Sequence, residues 1–141
     1  MRRSLILGAV LALVLSAAAF GAVQDFGKFT LDVPAGWTAE KDGETVGIVK
    51  NDKSVSVSIT VDSTDGMALK DLAEAFVEAL KGKDLKEEKG SYTFTMTSDS
   101  GVKSEAFLSG EDGQYCLIVV TGGENAPEEV VAIMDSLTEK K

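Results

Sequence analysis

The sequence predicts an α+β domain, a single antiparallel β-sheet with amphipathic helices packed on one or both of its faces. Three observations predict it. Short segments alternate apolar and polar residues and are joined by turns of hairpin length, which demands a mostly antiparallel sheet. Two segments carry an apolar stripe at helical spacing, and each stripe needs an apolar sheet face to cover it. One strand, Cys116 to Val120, is apolar on both sides and therefore belongs in the middle of the sheet.

Before the domain comes a leader. Met1-Arg2-Arg3 is a short basic start, Leu5 to Leu15 is an apolar run broken only by Gly8, and Ser16 to Ala22 is rich in small residues. This three-part pattern is that of a secretory signal peptide, covering residues 1–21 with cleavage between about 19 and 22. Cleavage after Ala19 or Gly21 places small residues at both required positions, whereas cleavage after Ala22 would place Phe20 in one of them. The run falls short of the roughly 20 apolar residues that span a bilayer, which disfavours the alternative of an uncleaved anchor. Arg2-Arg3 also admits a twin-arginine reading. No Cys follows the apolar run to take a lipid, so the expected location is the periplasm or the medium outside the cell.

Residues 22–141 then form one domain of about 120 residues, long enough to bury a core without a metal or disulfide. Phe29, Leu31 and Val33 alternate with Thr30 and Asp32 as a first strand, and Pro34 and Gly36 mark a turn. Trp37 opens a second extended piece that runs to about Lys41, and Asp42-Gly43 turns it into a third, Thr45 to Lys50. The clearest strand is Ser54 to Asp62, with Val55, Val57, Ile59 and Val61 on one side and hydroxyls on the other. Leu69, Leu72, Ala73, Phe76, Val77 and Leu80 form the stripe of a helix that starts between Asp65 and Ala68 and stops at Gly82.

Four extended segments follow. Leu85 to Lys89 is weak, and Tyr92, Phe94 and Met96 alternate with Thr93, Thr95 and Thr97. Turns at Ser98 to Gly101 and at Gly110 to Gly113 lead into Val102 to Ser109 and Gln114 to Thr121. Asn125-Ala126-Pro127-Glu128 opens the last helix, with Asn125 as N-cap in a capping-box spacing and Val130, Ile133, Met134 and Leu137 as its stripe.

Composition narrows function by exclusion. There are 14 basic residues, two of them the leader arginines, against 23 acidic ones, so the net charge of −9 becomes about −11 once the leader is gone. Such a surface repels nucleic acid and anionic membranes and favours cationic partners. The chain has no His, and the domain has no Arg. Centres of the Ser-His-Asp and Cys-His kinds and His-based zinc sites are thereby excluded, and bidentate clamping of phosphate is lost. Cys116 is the single cysteine, and its apolar strand marks it as core rather than nucleophile. The acidic pairs Glu87-Glu88, Glu111-Asp112 and Glu128-Glu129 are adjacent on turns and helix starts, not held across a cleft as a glycosidase needs. Asp62 to Gly66 lacks the spacing of a calcium loop. Trp37, the one Trp, reads as a core aromatic closing the sheet end, against the alternative of an exposed anchor.

The segment Phe29-Thr30-Leu31-Asp32-Val33-Pro34-Ala35-Gly36-Trp37 resembles the opening of the PsbP-like superfamily, an extended strand followed by Pro-x-Gly-Trp. That superfamily takes in photosystem PsbP subunits, Ran-binding Mog-type proteins and periplasmic DcrB-type proteins. The order of elements fits across nearly the whole domain, and Ser136-Leu137 resembles the family's last helix. The resemblance implies an α/β/α sandwich and an accessory or adaptor role, with no catalytic motif and no cofactor; the absence of His forbids carrying over a His-based metal site.

The least ordinary feature is a pair of hydroxyl rows, Ser54, Ser56, Ser58 and Thr60 on one strand and Thr93, Thr95 and Thr97 on another. The expectation is that the two rows adjoin and form a flat polar face that docks an as yet unidentified protein. The plainer reading is a solvent-facing sheet side. A carrier of a small apolar or cationic ligand is the alternative function and would need an apolar pocket of a few hundred Å³. A hydrolase built on carboxylates is the third.

Overall fold

Alternating strands bury every second side chain, and the chain uses that period to build one large sheet and one small one. The computed structural model describes residues 22–111 and 113–139. The expected signal peptide lies outside them. The strands are β1 (Ala22–Asp25), β2 (Phe29–Val33), β3 (Trp37–Asp42), β4 (Thr45–Lys50) and β5 (Ser56–Ser63), then β6 (Lys83–Glu88), β7 (Ser91–Thr97), β8 (Lys103–Glu111), β9 (Gln114–Thr121) and β10 (Thr138–Glu139). Helix α1 (Leu69–Leu80) lies between β5 and β6, and α2 (Pro127–Ser136) between β9 and β10.

The large sheet is antiparallel throughout, in the order β3-β4-β5-β9-β8-β7-β6. β9 runs between β5 and β8, as its two apolar sides required. The small sheet, β1-β2-β10, brings both ends of the described chain together on either side of β2. β1 and β10 were not expected from the sequence, because a fully exposed strand and a two-residue strand show no alternation.

Each face of the large sheet is covered over only half its width. The front face carries Val46, Ile48, Val57, Ile59, Val61, Cys116, Ile118 and Val120, and β2 and α2 pack on it through Phe29, Leu31, Val33, Val130 and Ile133. The back face carries Tyr92, Phe94, Ala106, Leu108 and Leu117, and α1 packs there through Ala73, Leu69, Leu72, Phe76 and Val77. The covered halves are diagonally opposed. The front face over β6 and β7 and the back face over β3, β4 and β5 lie outside both cores, and on the front of β8 Phe107 borders the front core.

The turn Pro34 to Trp37 is closed by the Trp37 amide donating to the Pro34 carbonyl at 3.2 Å, with Gly36 at φ 86°, where glycine carries no steric cost. Two helix ends differ from the sequence reading. Lys81, not Gly82, takes the left-handed position after α1, and the Gly82 amide closes the end on the Val77 carbonyl at 2.7 Å. Gly82 is there for proximity: a Cβ on it would lie 2.6 Å from Phe94 Cδ2. At the other helix, Ala126 is the N-cap and no side chain caps it. Asn125 instead ends a short 3₁₀ turn, Gly123–Asn125, and spends its amide on the Ser54 carbonyl at 3.1 Å, so the capping box does not form. The start of α2 relies on Pro127 in its first turn and on Glu128 and Glu129 at the positive end of its dipole.

Candidate functional site

The two hydroxyl rows do not adjoin. Ser58 pairs with Val119 and Thr60 with Leu117, which places Ser56, Ser58 and Thr60 on the back face. Thr93 pairs with Phe107 and Thr95 with Glu105, opposite in pleat to Phe94 and Tyr92, which places Thr93, Thr95 and Thr97 on the front. β9 and β8 stand between them, a separation of about 14 Å along the sheet in addition to its thickness. Ser54 precedes β5 and donates to Asp52 Oδ1 at 2.6 Å, so it belongs to a turn and not to the row. The expected single docking face is therefore corrected to two separate surfaces, because alternation fixes which side of its own strand a residue takes but not which strands are neighbours. Each row occupies the uncovered half of its own face.

What the threonine row borders is more informative than the row itself. Between α2 and β8 runs an open trough of about 460 Å³. Phe107 and Val120 form its floor, and Val130, Val131 and Met134 its helical wall. Val131 is 56 % exposed, a large apolar side chain left outside the core. Glu105 and Glu124 stand at the rim, and among the described residues no lysine lines the trough. A second depression of about 480 Å³ continues it across the sheet, sharing Glu105, Val120, Gly123 and Glu124 and adding Thr95, Lys103 and Asp84. The back face carries a smaller groove of about 360 Å³ along β3 and β4, beside the serine row and lined by Thr38, Glu40, Val49, Asn51 and Lys53.

The wall of the trough is held by a polar cluster at the start of α2. Trp37 Nε1 donates to Glu129 Oε2 at 2.6 Å, and Lys50 Nζ donates to Glu129 Oε1 at 2.7 Å. The Lys50 ammonium also lies 5.6 Å from the centre of the Trp37 ring, within cation–π range. The bonds from Lys50 and Trp37 hold the Glu129 carboxyl below its ordinary range. One carboxylate thus ties α2 to two strands of the sheet. Trp37 is buried, as expected of a core aromatic, and its one polar atom is satisfied by this bond.

Cys116 is in the core, and burial, aided by the negative charge of Glu139, pushes its thiol up to about 12, which leaves no thiolate near neutral pH. Glu105 and Glu124 are both exposed. Among the described residues no group of three or more His, Cys, Asp or Glu is placed to hold a metal ion, and no helix is long and apolar enough to cross a membrane.

Sequence reasoning missed the trough. Its signal was the run Ala106-Phe107-Leu108, apolar on both sides of β8, together with Val131 beside Val130. Each is one apolar residue more than a half-covered element needs.

These features define a class: a small α+β sandwich whose one long sheet is covered half on each face. No family model and no curated protein matches the chain. Solved structures do. A protein of Bacteroides thetaiotaomicron VPI-5482, determined at 1.50 Å, superposes with a TM-score of 0.58 at 13% identity, covering 86% of this chain and 49% of that one. The chain thus spans about half the length of that structure. The solution structure of cyanobacterial PsbP (CyanoP) from Synechocystis sp. PCC 6803 superposes with a TM-score of 0.53 at 12% identity, covering 86% of this chain and 94% of that one. The fold is PsbP-like.

Proposed function

We propose that this chain is an exported, non-catalytic accessory module that binds a protein partner through the trough between α2 and β8. The observation that carries this reading is the trough itself: Val131 faces solvent, and Phe107 and Met134 are half-buried, beside an uncovered half-sheet. An exposed apolar patch with a polar rim marks an interaction site on a soluble domain. The Pro34-Ala35-Gly36-Trp37 turn supports a place in the PsbP-like superfamily, within which a relationship to DcrB-type or Mog-type proteins is part of the proposal. Export follows from the leader, and cleavage after Ala19 or Gly21 leaves all of β1 in the domain, paired with β2 from Ala22 onward.

The test is photo-crosslinking in the producing cell. A photoreactive residue at Val131 is expected to give one discrete protein adduct. The same residue at Val49, on the back face, is expected to give none, and Met134→Glu should abolish the adduct at position 131. Equal adducts at both positions, or none at either, would refute the reading. Of the earlier candidates, Thr95→Lys should weaken the complex and Ser58→Lys should not, since only Thr95 borders this surface.

A second reading has its own observation. A space of about 460 Å³ falls within the size range of small-ligand sites, and its acidic rim suits a cationic ligand, as a carrier requires. Native mass spectrometry of the protein from its own host separates the two: an added mass of protein size supports the module, and one of a few hundred daltons supports the carrier.

A further inference from the structure

Resting on the docking reading above, we infer that the occupant of the trough is a cationic amphipathic segment of a partner protein. Its apolar side chains pack against Phe107, Val130 and Met134, and its lysine or arginine heads meet Glu105 and Glu124. The trough offers only two kinds of contact, an apolar floor and wall and a rim of carboxylates, with no basic residue among them. A neutral apolar segment would strand both carboxylates against uncharged groups, and an acidic one would be repelled. The positive end of α2, which would disfavour a cation, is countered by Glu128 in its first turn, Glu129 being already paired with Lys50. In the adjoining depression Lys103 stands with Asp84, Glu105 and Glu124, so acids outnumber bases along the whole path.

The same charges argue against the other occupants. A second copy would bring another strongly acidic domain to an acidic rim, and an anionic bilayer would be repelled likewise. A small apolar molecule would leave the rim unused, and the trough is open along its length rather than enclosed. An apolar stripe flanked by cations matches it along both dimensions, as in helix-in-groove recognition.

The experiment titrates ¹⁵N-labelled protein with a short peptide of leucine and lysine at helical spacing, alongside matched leucine–glutamine and leucine–glutamate peptides. The leucine–lysine peptide is expected to perturb the amides of Phe107, Val131 and Met134 and to bind best of the three. Glu105→Gln with Glu124→Gln should weaken it about tenfold, two partly exposed ion pairs being lost. Glu40→Gln with Asp42→Asn, the same charge change on β3, should alter it by less than about twofold. Equal weakening by both pairs would mean that net charge alone attracts the peptide, and would overturn the inference. So would equal binding of the leucine–glutamine peptide, or perturbations away from the trough. If no leucine–lysine peptide binds while Val131 still crosslinks a partner, the cationic chemistry is wrong and the docking reading stands. If crosslinking fails as well, both fall.

Discussion

Replacing Glu129 by alanine removes the carboxylate that joins α2 to the sheet. The buried indole N–H of Trp37 loses an acceptor at 2.6 Å. A hydrogen bond to a charged group contributes about 1.5–3 kcal/mol. The Glu129 side chain is 37% exposed, so water can partly replace it, and the lower half of that range applies. The ion pair to Lys50 at 2.7 Å adds less than about 1 kcal/mol, as it is also reached by solvent. The sum for Glu129→Ala is about 1.5–3 kcal/mol, or a fall in Tm of roughly 5–15 °C for a domain of this size. Glu129→Gln keeps an oxygen for Trp37 and loses only the charge, so it should cost about 0.5–1 kcal/mol. Urea melts followed by circular dichroism at 222 nm measure both. The pH dependence has a definite sign. Lys50 and Trp37 lower the folded-state pKa of Glu129 below its ordinary 4.5. Its stabilisation is therefore complete above that value and is lost as pH falls through the lower folded value. The gap between wild type and Glu129→Gln should close over that acid range and stay constant from pH 6 to 8. Alanine and glutamine variants of equal stability, or a gap that persists in acid, would refute the assignment of the cluster as the tie between helix and sheet.

Three further predictions concern the backbone and the thiol. Gly122 sits at φ 72° with a Cβ position only 2.2 Å from the Ser54 carbonyl oxygen, so Gly122→Ala should destabilise by about 2–4 kcal/mol in the same melts. Lys81→Gly should stabilise by about 0.5–1 kcal/mol, because Lys81 holds φ 56° where glycine is unstrained; a loss of stability would show that its side chain has a role beyond the cap. Cys116, buried and raised to about 12, should resist iodoacetamide at pH 8 in the native state and react at once in urea, as followed by mass; rapid native labelling would contradict its placement in the core.

The parts of this molecule that were legible in the sequence are those where a local period meets a nearby constraint. The row Val57, Ile59 and Val61 gave β5, and the stripe from Leu69 to Leu80 gave α1. The doubly apolar run in β9 gave its central place, and Pro34 with Gly36 gave the turn that aims Trp37 inward. Lys83–Glu88 was faint because it is an edge strand of mostly charged residues, with a register shift between Lys83 and Lys86 that breaks the alternation. Such a charged and bulged edge resists pairing with another chain, and that protection is what erases the pattern. The capping box failed for a related reason: Asn125 has the right spacing, but a partner far away in sequence, the Ser54 carbonyl, claims its side chain.

The candidate site depended on the one thing period-two alternation does not contain, the lateral order of strands. Ser58 and Thr95 are each a polar residue opposite a core residue, and nothing within either strand says whether the two strands are neighbours or which way their pleats face. The order β5-β9-β8-β7 settles it, and it follows from chain segments far apart in sequence. With that order in place the excess apolar residues acquire a meaning they lacked. Phe107 points away from the core that Ala106 and Leu108 serve, and Val131 points away from the one that Val130 serves, yet both border the same space. Had both been polar, the front half-sheet would be an ordinary hydrated surface like the serine row at the diagonally opposite side of the sheet. An uncovered apolar floor and wall between two carboxylates is the arrangement on which the proposed docking role rests.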